Sequence, residues 1–242
     1  MRDDAAAIRA DAERLAVSEV FGPTVQGEGP TAGRRCGFVR LYGCNLDCVW
    51  CDSAYTWDTD RYDPAVERTE WTAGQIVEAV AKMGVDRVVV TGGEPLIQKR
   101  ALARLVETFG PGFAIEVETN GTVPPGVVEQ YGWVFYNVSP KLPHAGVTDP
   151  IRPRALDAFG RLAVDGRAAA KIVCHTPDDV DAAVALTDRH GFPRTAVWIS
   201  PLGTTPAAIA ASLAAIGDPA VAAGVNLSPR LHIQTWGDER GR

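Results

Sequence analysis

Two hydrophobic periodicities alternate along the chain. Short apolar runs rich in β-branched residues are followed by longer stretches in which apolar positions recur every three or four residues, with polar or glycine-bearing segments between them. The run "DRVVVT" (86–91) is continuous rather than alternating, which predicts a strand buried on both faces. Comparable runs predict strands at 17–21, 37–42, 113–118, 133–138, 169–174, 195–200 and 225–228. Thr72 stands as an N-cap before "AGQIVEAVAKM", an amphipathic helix. Further helices are predicted at 99–109, 155–164, 177–190 (with an acidic "PDD" start) and 206–216. The Ala-rich, charged residues 1–16 read as a helix or a frayed tail. Residues 17–242 read as one domain, because no Pro/Ser-rich linker divides them.

Strands that alternate with helices predict an α/β fold: a parallel sheet with right-handed crossovers. A full eight-unit TIM barrel takes ~250 residues, so this chain predicts an incomplete, partial TIM-type β/α barrel of about six units. Chemistry in such folds sits at the carboxyl ends of the strands. The unusual segments lie there: "YGCNLDCVWC" (42–51), "TGGEP" (91–95), "ETNGT" (118–122) and "SPK" (139–141). None is specific alone, but their succession at neighbouring strand ends is.

Composition narrows the classes. The chain has 242 residues, 46% hydrophobic and 22% charged, which is ordinary for a folded protein long enough to bury a core. A net charge of −6 argues against a nucleic-acid partner held by phosphate neutralisation. No apolar run predicts a membrane span or a signal peptide. Five cysteines without secretion signals predict a reducing, cytoplasmic setting, in which thiols ligate metals or lie buried.

Three of these cysteines, Cys44, Cys48 and Cys51, form C-x3-C-x2-C directly after a predicted strand. A structural zinc site would need a fourth ligand, with Cys36 the one at hand, and usually uses two separated knuckles rather than one tight triplet. A [4Fe-4S] cluster suits the triplet better: three thiolates hold three irons and leave the fourth open for a ligand. Cys36 and Cys174, each within an apolar run, are expected in the core.

The spacing C-x3-C-x-aromatic-C, with Trp50 as the aromatic residue, resembles the signature of radical S-adenosylmethionine enzymes. The segments "TVQGEGPTAGRRCGFVRLYGCNLDCVWCDS", "VVVTGGEPLIQ", "VETNGT" and "NVSPK" together resemble the 7-carboxy-7-deazaguanine synthase family, with weaker support from "SPLG" and "RLHIQTWG". The resemblance implies a radical ring contraction of 6-carboxy-5,6,7,8-tetrahydropterin to 7-carboxy-7-deazaguanine with loss of ammonia. It implies a [4Fe-4S] cluster on Cys44, Cys48 and Cys51, S-adenosylmethionine used catalytically, and magnesium. It also implies flavodoxin or ferredoxin as electron donor and a homodimer.

Residue by residue, the resemblance places Val25, Gln26, Gly27, Glu28, Arg40, Thr91 and His232 against the pterin. Trp50, Cys51, Asp52, Gly93, Glu94, Ser139, Pro140 and Lys141 match positions that hold S-adenosylmethionine. The chemistry agrees: an aminopyrimidine edge suits a carboxylate and an amide, and a substrate carboxylate suits an arginine. Read without the resemblance, "QGEG" is a simple turn and His232 as readily a core or capping residue. Ser53 stands where many family members carry a magnesium-ligating Thr; serine keeps the hydroxyl and so the hard oxygen ligand. The terminal "GDERGR" departs from the family pattern, which leaves that part of the pocket open. Two other readings are set against this one: a glycyl-radical-type activating enzyme with a protein partner, and a non-catalytic metal-binding module.

Overall fold

The computed structural model describes residues 14–242. Most of the segment read as a tail or helix therefore lies outside the described residues. Its last two positions do not follow that reading: Leu15 and Ala16 open strand β1 (Leu15–Val25), and Leu15 is fully buried. A nine-stranded sheet organises the described chain, in the order β3-β1-β2-β4-β5-β6-β7-β8-β9. Its other strands are β2 (Arg35–Leu41), β3 (Thr69–Trp71), β4 (Arg87–Gly92), β5 (Ala114–Thr119), β6 (Val134–Val138), β7 (Ala168–Cys174), β8 (Val197–Pro201) and β9 (Asn226–Leu227). From β2 through β9 the neighbours in this order pair in parallel, as alternating strands and helices require. The sheet is open, an incomplete barrel.

One edge differs from the all-parallel expectation. Strand β1 pairs antiparallel with both β2 and β3. The β1–β2 connection is too short for a crossover helix and leaves only the antiparallel option. Strand β3 has three residues in a polar stretch, too short to leave a periodic signal.

The α-helices of the described residues are α1 (Pro64–Glu67), α2 (Ala73–Ala81), α3 (Lys99–Phe109), α4 (Pro153–Val164), α5 (Pro177–Arg189), α6 (Pro206–Ala222) and α7 (Leu231–Trp236), and short 3-10 turns lie between elements. Thr72 and Gln75 form a reciprocal capping box that starts α2, and Thr176 with Asp179 does the same for α5. Helix α6 runs past its expected end at residue 216. Pro219 lies inside it, yet Ile216 and Ala220 continue its buried stripe. No described helix is long and apolar enough to cross a membrane.

The period-2 alternation of the strands divides the sheet chemically. Val88, Val90, Ile115, Val117, Ala170 and Ile172 join one large apolar cluster with the covering helices. The intervening positions face the inside of the curved sheet, and many are polar: Arg40 on β2, Thr91 on β4, Glu116 and Glu118 on β5, Asn137 on β6 and Lys171 on β7. In "DRVVVT", Val88, Val89 and Val90 are all fully buried, as a strand covered on both faces requires. Cys174 packs in the large cluster, and Cys36 in a small one with Phe38, Val89 and Phe21.

Candidate active site

A cavity of about 440 Å³ opens at the carboxyl ends of the parallel strands. Its wall brings together Cys44, Cys48 and Cys51 with most of the residues singled out in the sequence. Val25, Gln26, Gly27, Glu28, Arg40 and Thr91 line it, as do Trp50, Asp52, Ser53, Gly93, Ser139, Lys141 and His232. Pro140 is buried and Glu94 fully so, and neither reaches this wall. Cys36 is absent from it too, so it does not join the other three thiols as a fourth ligand. Burial pushes the Cys44 thiol up to about 11 and raises that of Cys48.

The cysteine loop is held by backbone geometry. A Cβ on Gly93 would stand 2.0 Å from the Gly43 carbonyl oxygen and 2.8 Å from the Cys44 nitrogen. The glycine of "TGGEP" thus lets the β4 loop lie directly on the start of the cysteine loop. Gly93 N donates to Leu41 O at 3.0 Å and Glu94 N to Gly43 O at 2.8 Å, fixing that contact. On the far side, Val49 N donates to Ala145 O at 3.0 Å and Trp50 Nε1 to His144 O at 3.2 Å.

Lys141 is a half-buried ammonium whose contacts are the Ser139 hydroxyl, at 2.9 Å, and the Trp50 ring, whose centroid is 5.5 Å away. Burial, with Lys171 nearby, lowers its pKa, and among the described residues it pairs with no carboxylate. A cation in that position suits an incoming carboxylate such as the amino-acid end of S-adenosylmethionine. Glu94 differs from the expectation. Its carboxylate accepts from Thr119, from Asn120 N at 2.6 Å and from Leu96 N at 2.9 Å, so it ties two strand-end loops together. The three cavity thiols, the close approach at Gly93 and the Lys141 ammonium in the same wall together suit an iron–sulfur cluster with a bound amino-acid group.

The opposite part of the cavity is a charge network. One Glu28 oxygen accepts from Arg230 Nε at 2.6 Å, and the other pairs with Lys171. Arg230 also donates through NH2 to Asp52 Oδ2 at 2.5 Å and through NH1 to Gly203 O at 2.6 Å. Burial would raise the Glu28 carboxyl, but Lys171 and Arg230 outweigh it and hold it well below the usual range. Gln26 Nε2 donates to Glu116 Oε1 at 2.9 Å and to Glu118 Oε1 at 3.0 Å, and Thr91 donates to Glu118 Oε2 at 2.6 Å. The expected amide–carboxylate pair is thus present, with protein partners already on both groups. Arg40 is half-buried, its Nε bound to Glu19 Oε1 at 2.6 Å.

The last helix closes this region. Leu231 N donates to Gly27 O at 2.9 Å, and Gly29 N to Ser228 Oγ at 2.7 Å. A Cβ on Gly27 would lie 1.9 Å from His232 Nδ1, so glycine is what admits the histidine. The departing C-terminal segment reaches the site as well: residues 238–242 line the cavity, and the Arg240 guanidinium lies 3.9 Å from the Tyr55 ring centroid.

Sequence reasoning missed Lys171, and it assigned no role to Arg230, to Glu118 or to the individual residues of the terminal segment. Lys171 did leave a signal, a lone charge in "AAAKIVC", as did the paired acids in "AIEVET". Arg230 stands first in "RLHIQTWG", but its partners could not be read there, because its role depends on a loop folding back across the chain.

Comparison with known proteins agrees with this geometry. The model of the radical SAM superfamily matches residues 38–162. A 7-carboxy-7-deazaguanine synthase from Pyrobaculum aerophilum is 38% identical over 231 residues, covering 95% of this chain and 98% of the relative. One of the same name from Hyperthermus butylicus is 37% identical, covering 90% and 92%. Among solved structures, QueE from Escherichia coli superposes with a TM-score of 0.68 at 24% identity, covering 91% of this chain and 96% of that one. The chain therefore belongs to the radical SAM superfamily and, within it, to the 7-carboxy-7-deazaguanine synthase family.

Proposed function

We propose that the protein is a 7-carboxy-7-deazaguanine synthase, a lyase that contracts the ring of 6-carboxy-5,6,7,8-tetrahydropterin with release of ammonia. The observation that carries the reading is one cavity holding the three-cysteine loop at one side and the Glu28, Arg40 and Thr91 group at the other. Bound together, a [4Fe-4S] cluster and S-adenosylmethionine supply an adenosyl radical.

The chain's own residues bind and orient. Cys44, Cys48 and Cys51 are the cluster ligands. Lys141 receives the S-adenosylmethionine carboxylate, with Ser139 and Gly93 beside it. Glu28 takes the pyrimidine edge of the pterin and Arg40 its carboxylate, and Gln26, Thr91 and His232 flank the ring. Ser53 offers its hydroxyl to magnesium: it lies in the cavity wall with Oγ 3.7 Å from Cys51 Sγ, next to the carboxylate-bearing Asp52. A flavodoxin or ferredoxin as donor, a homodimer and a cytoplasmic location belong to the same proposal.

The test is turnover. Reduced, reconstituted protein is given 6-carboxytetrahydropterin and S-adenosylmethionine, and 7-carboxy-7-deazaguanine is sought by mass and ultraviolet absorbance. S-adenosylmethionine cleavage without that product would leave the superfamily assignment standing and remove the specific function.

A further inference from the structure

Lys171 is a lysine on a strand of alanines, nine-tenths buried, in the middle of β7. Its neighbours Ala170 and Ile172 face the helices, so Lys171 faces the inside of the sheet, where it lines the cavity. Lysine is almost never buried to this degree without a partner. Glu28 is such a partner, but it does not account for the position fully. Arg230 already holds the other Glu28 oxygen at 2.6 Å, and it does so from outside the cavity wall. The carboxylate therefore has an anchor behind it and Lys171 beside it on the cavity side.

The charge count says what Lys171 can accept. In the ion pairs Glu28 and Asp52 face Lys171 and Arg230, two charges against two, and the Glu118 carboxylate in the same wall adds a further negative charge beside Lys171. No further anion is called for. What remains is donor capacity: an ammonium carries three N–H groups, and among the described residues Lys171 has one hydrogen-bond partner. Unused donors beside a balanced carboxylate match a neutral acceptor. The pterin edge presents such a sequence of groups, an amino group and a ring N–H followed directly by a carbonyl. A carboxylate reads the two donors, and the carbonyl then falls beside whatever adjoins that carboxylate.

We propose that Lys171 is a specificity-determining residue that donates to the ring carbonyl oxygen adjoining the pyrimidine edge held by Glu28. The inference rests on the reading of Glu28 as the holder of that edge. It makes Glu28 and Lys171 one recognition unit, in which each fixes the other and together they match the alternation of donors and acceptor on a 4-oxopterin.

The test is a binding measurement on the cluster-reconstituted protein, with oxidised 6-carboxypterin and its 4-thioxo counterpart as probes. The thioxo compound keeps the amino group and ring N–H for Glu28 and replaces only the oxygen by a weak acceptor. The parent should bind the oxo compound about tenfold more tightly, the usual scale for one charge-assisted hydrogen bond. Lys171→Met should bring the two affinities within about twofold of each other by the same measure. Arg230 still pairs Glu28 in that variant, and iron content and a thermal melt report whether it folds. Lys171→Gln, neutral but still a donor, should keep part of the preference. A preference unchanged in Lys171→Met overturns the proposal. A parent that binds neither probe, or a Glu28→Gln variant that binds both as tightly as the parent, removes instead the pterin reading on which it stands.

Discussion

The Thr119 hydroxyl donates to both carboxylate oxygens of Glu94, at 2.8 and 2.9 Å, and so locks the loop after β4 to the loop after β5. Glu94 is fully buried, and burial pushes its pKa up to about 7 although three protein groups donate to it. A carboxyl whose folded pKa is raised contributes stability that is complete below its unfolded value, near 4.5, and is lost as pH rises through 7. Between pH 5 and 7 the melting temperature of the parent should therefore fall with a component assignable to Glu94, and that component should flatten above pH 7. Glu94→Gln should melt lower overall, since an amide cannot accept from all three donors, but should lack that component. Equal slopes in the two proteins would refute the assignment.

The cysteines divide by position. Cys44, Cys48 and Cys51 share the cavity wall, whereas Cys36 and Cys174 are packed in apolar clusters. Replacing any of the first three by Ala should abolish iron incorporation and S-adenosylmethionine cleavage, because each thiolate holds one iron. Cys36→Ala and Cys174→Ala should retain both, with a stability loss from the small cavities they leave. Iron loss in Cys36→Ala equal to that in the triplet would revive a four-cysteine site.

Ser53 is buried at the base of the cysteine loop, with its carbonyl accepting from Thr56 N at 2.9 Å and from Thr56 Oγ1 at 2.8 Å. The backbone there is fixed, so substitution changes only the side-chain oxygen. Ser53→Ala should weaken magnesium stimulation of turnover while leaving the visible absorbance of the reconstituted protein unchanged. Ser53→Thr should retain the stimulation. Turnover by the parent that is indifferent to chelation of magnesium would end this assignment.

Much of this site was legible because its chemistry is local. The cysteine spacing, "TGGEP" and "SPK" each sit within a few residues at one strand end, and the topology then places strand ends side by side. The helix expected around 99–109 is present at Lys99–Phe109 for a related reason: its apolar stripe repeats within eleven positions and Gly110 follows directly. What was not legible depends on contacts across the chain. Arg230 reaches Glu28, 202 residues away, and Asp52, 178 away. No local pattern announces such a bridge. The antiparallel edge was missed because the shortness of the β1–β2 connection was not weighed, and because β3, three residues long, owes its strand form to pairing with β1 rather than to its own composition. Glu94 shows the converse limit: a motif identifies the residue, but burial and three donors decide which way the carboxylate turns.

Arg40 carries the last prediction, and its neighbours determine what should be changed. Its guanidinium is largely shielded in the cavity wall, with Nε committed to Glu19 and the rings of Phe21 and Tyr55 at 5.6 and 5.9 Å. Glu19 is itself oriented by Tyr55, which donates to Oε1 at 2.8 Å, and by Arg240, which donates to Oε2 at 3.1 Å. Glu19 therefore aims Arg40 without occupying its remaining N–H groups. Losing a buried charge partner of a ligand costs ~2–5 kcal/mol, because the other charge is left desolvated and unpaired. Arg40→Ala should thus cut pterin turnover by a factor of tens or more, and Glu28→Ala should do the same at the other end of the substrate. Neither should remove the cluster, and slow uncoupled cleavage of S-adenosylmethionine should persist in both. Glu19→Gln preserves shape and one acceptor but loses the charge that fixes Arg40, so it should raise KM for the pterin by less than Arg40→Ala does. Arg40→Lys should not rescue, since a lysine has no Nε to give Glu19 while facing the substrate. Steady-state turnover with varied pterin separates these outcomes, and a KM unchanged in Arg40→Ala would remove the arginine from the substrate site.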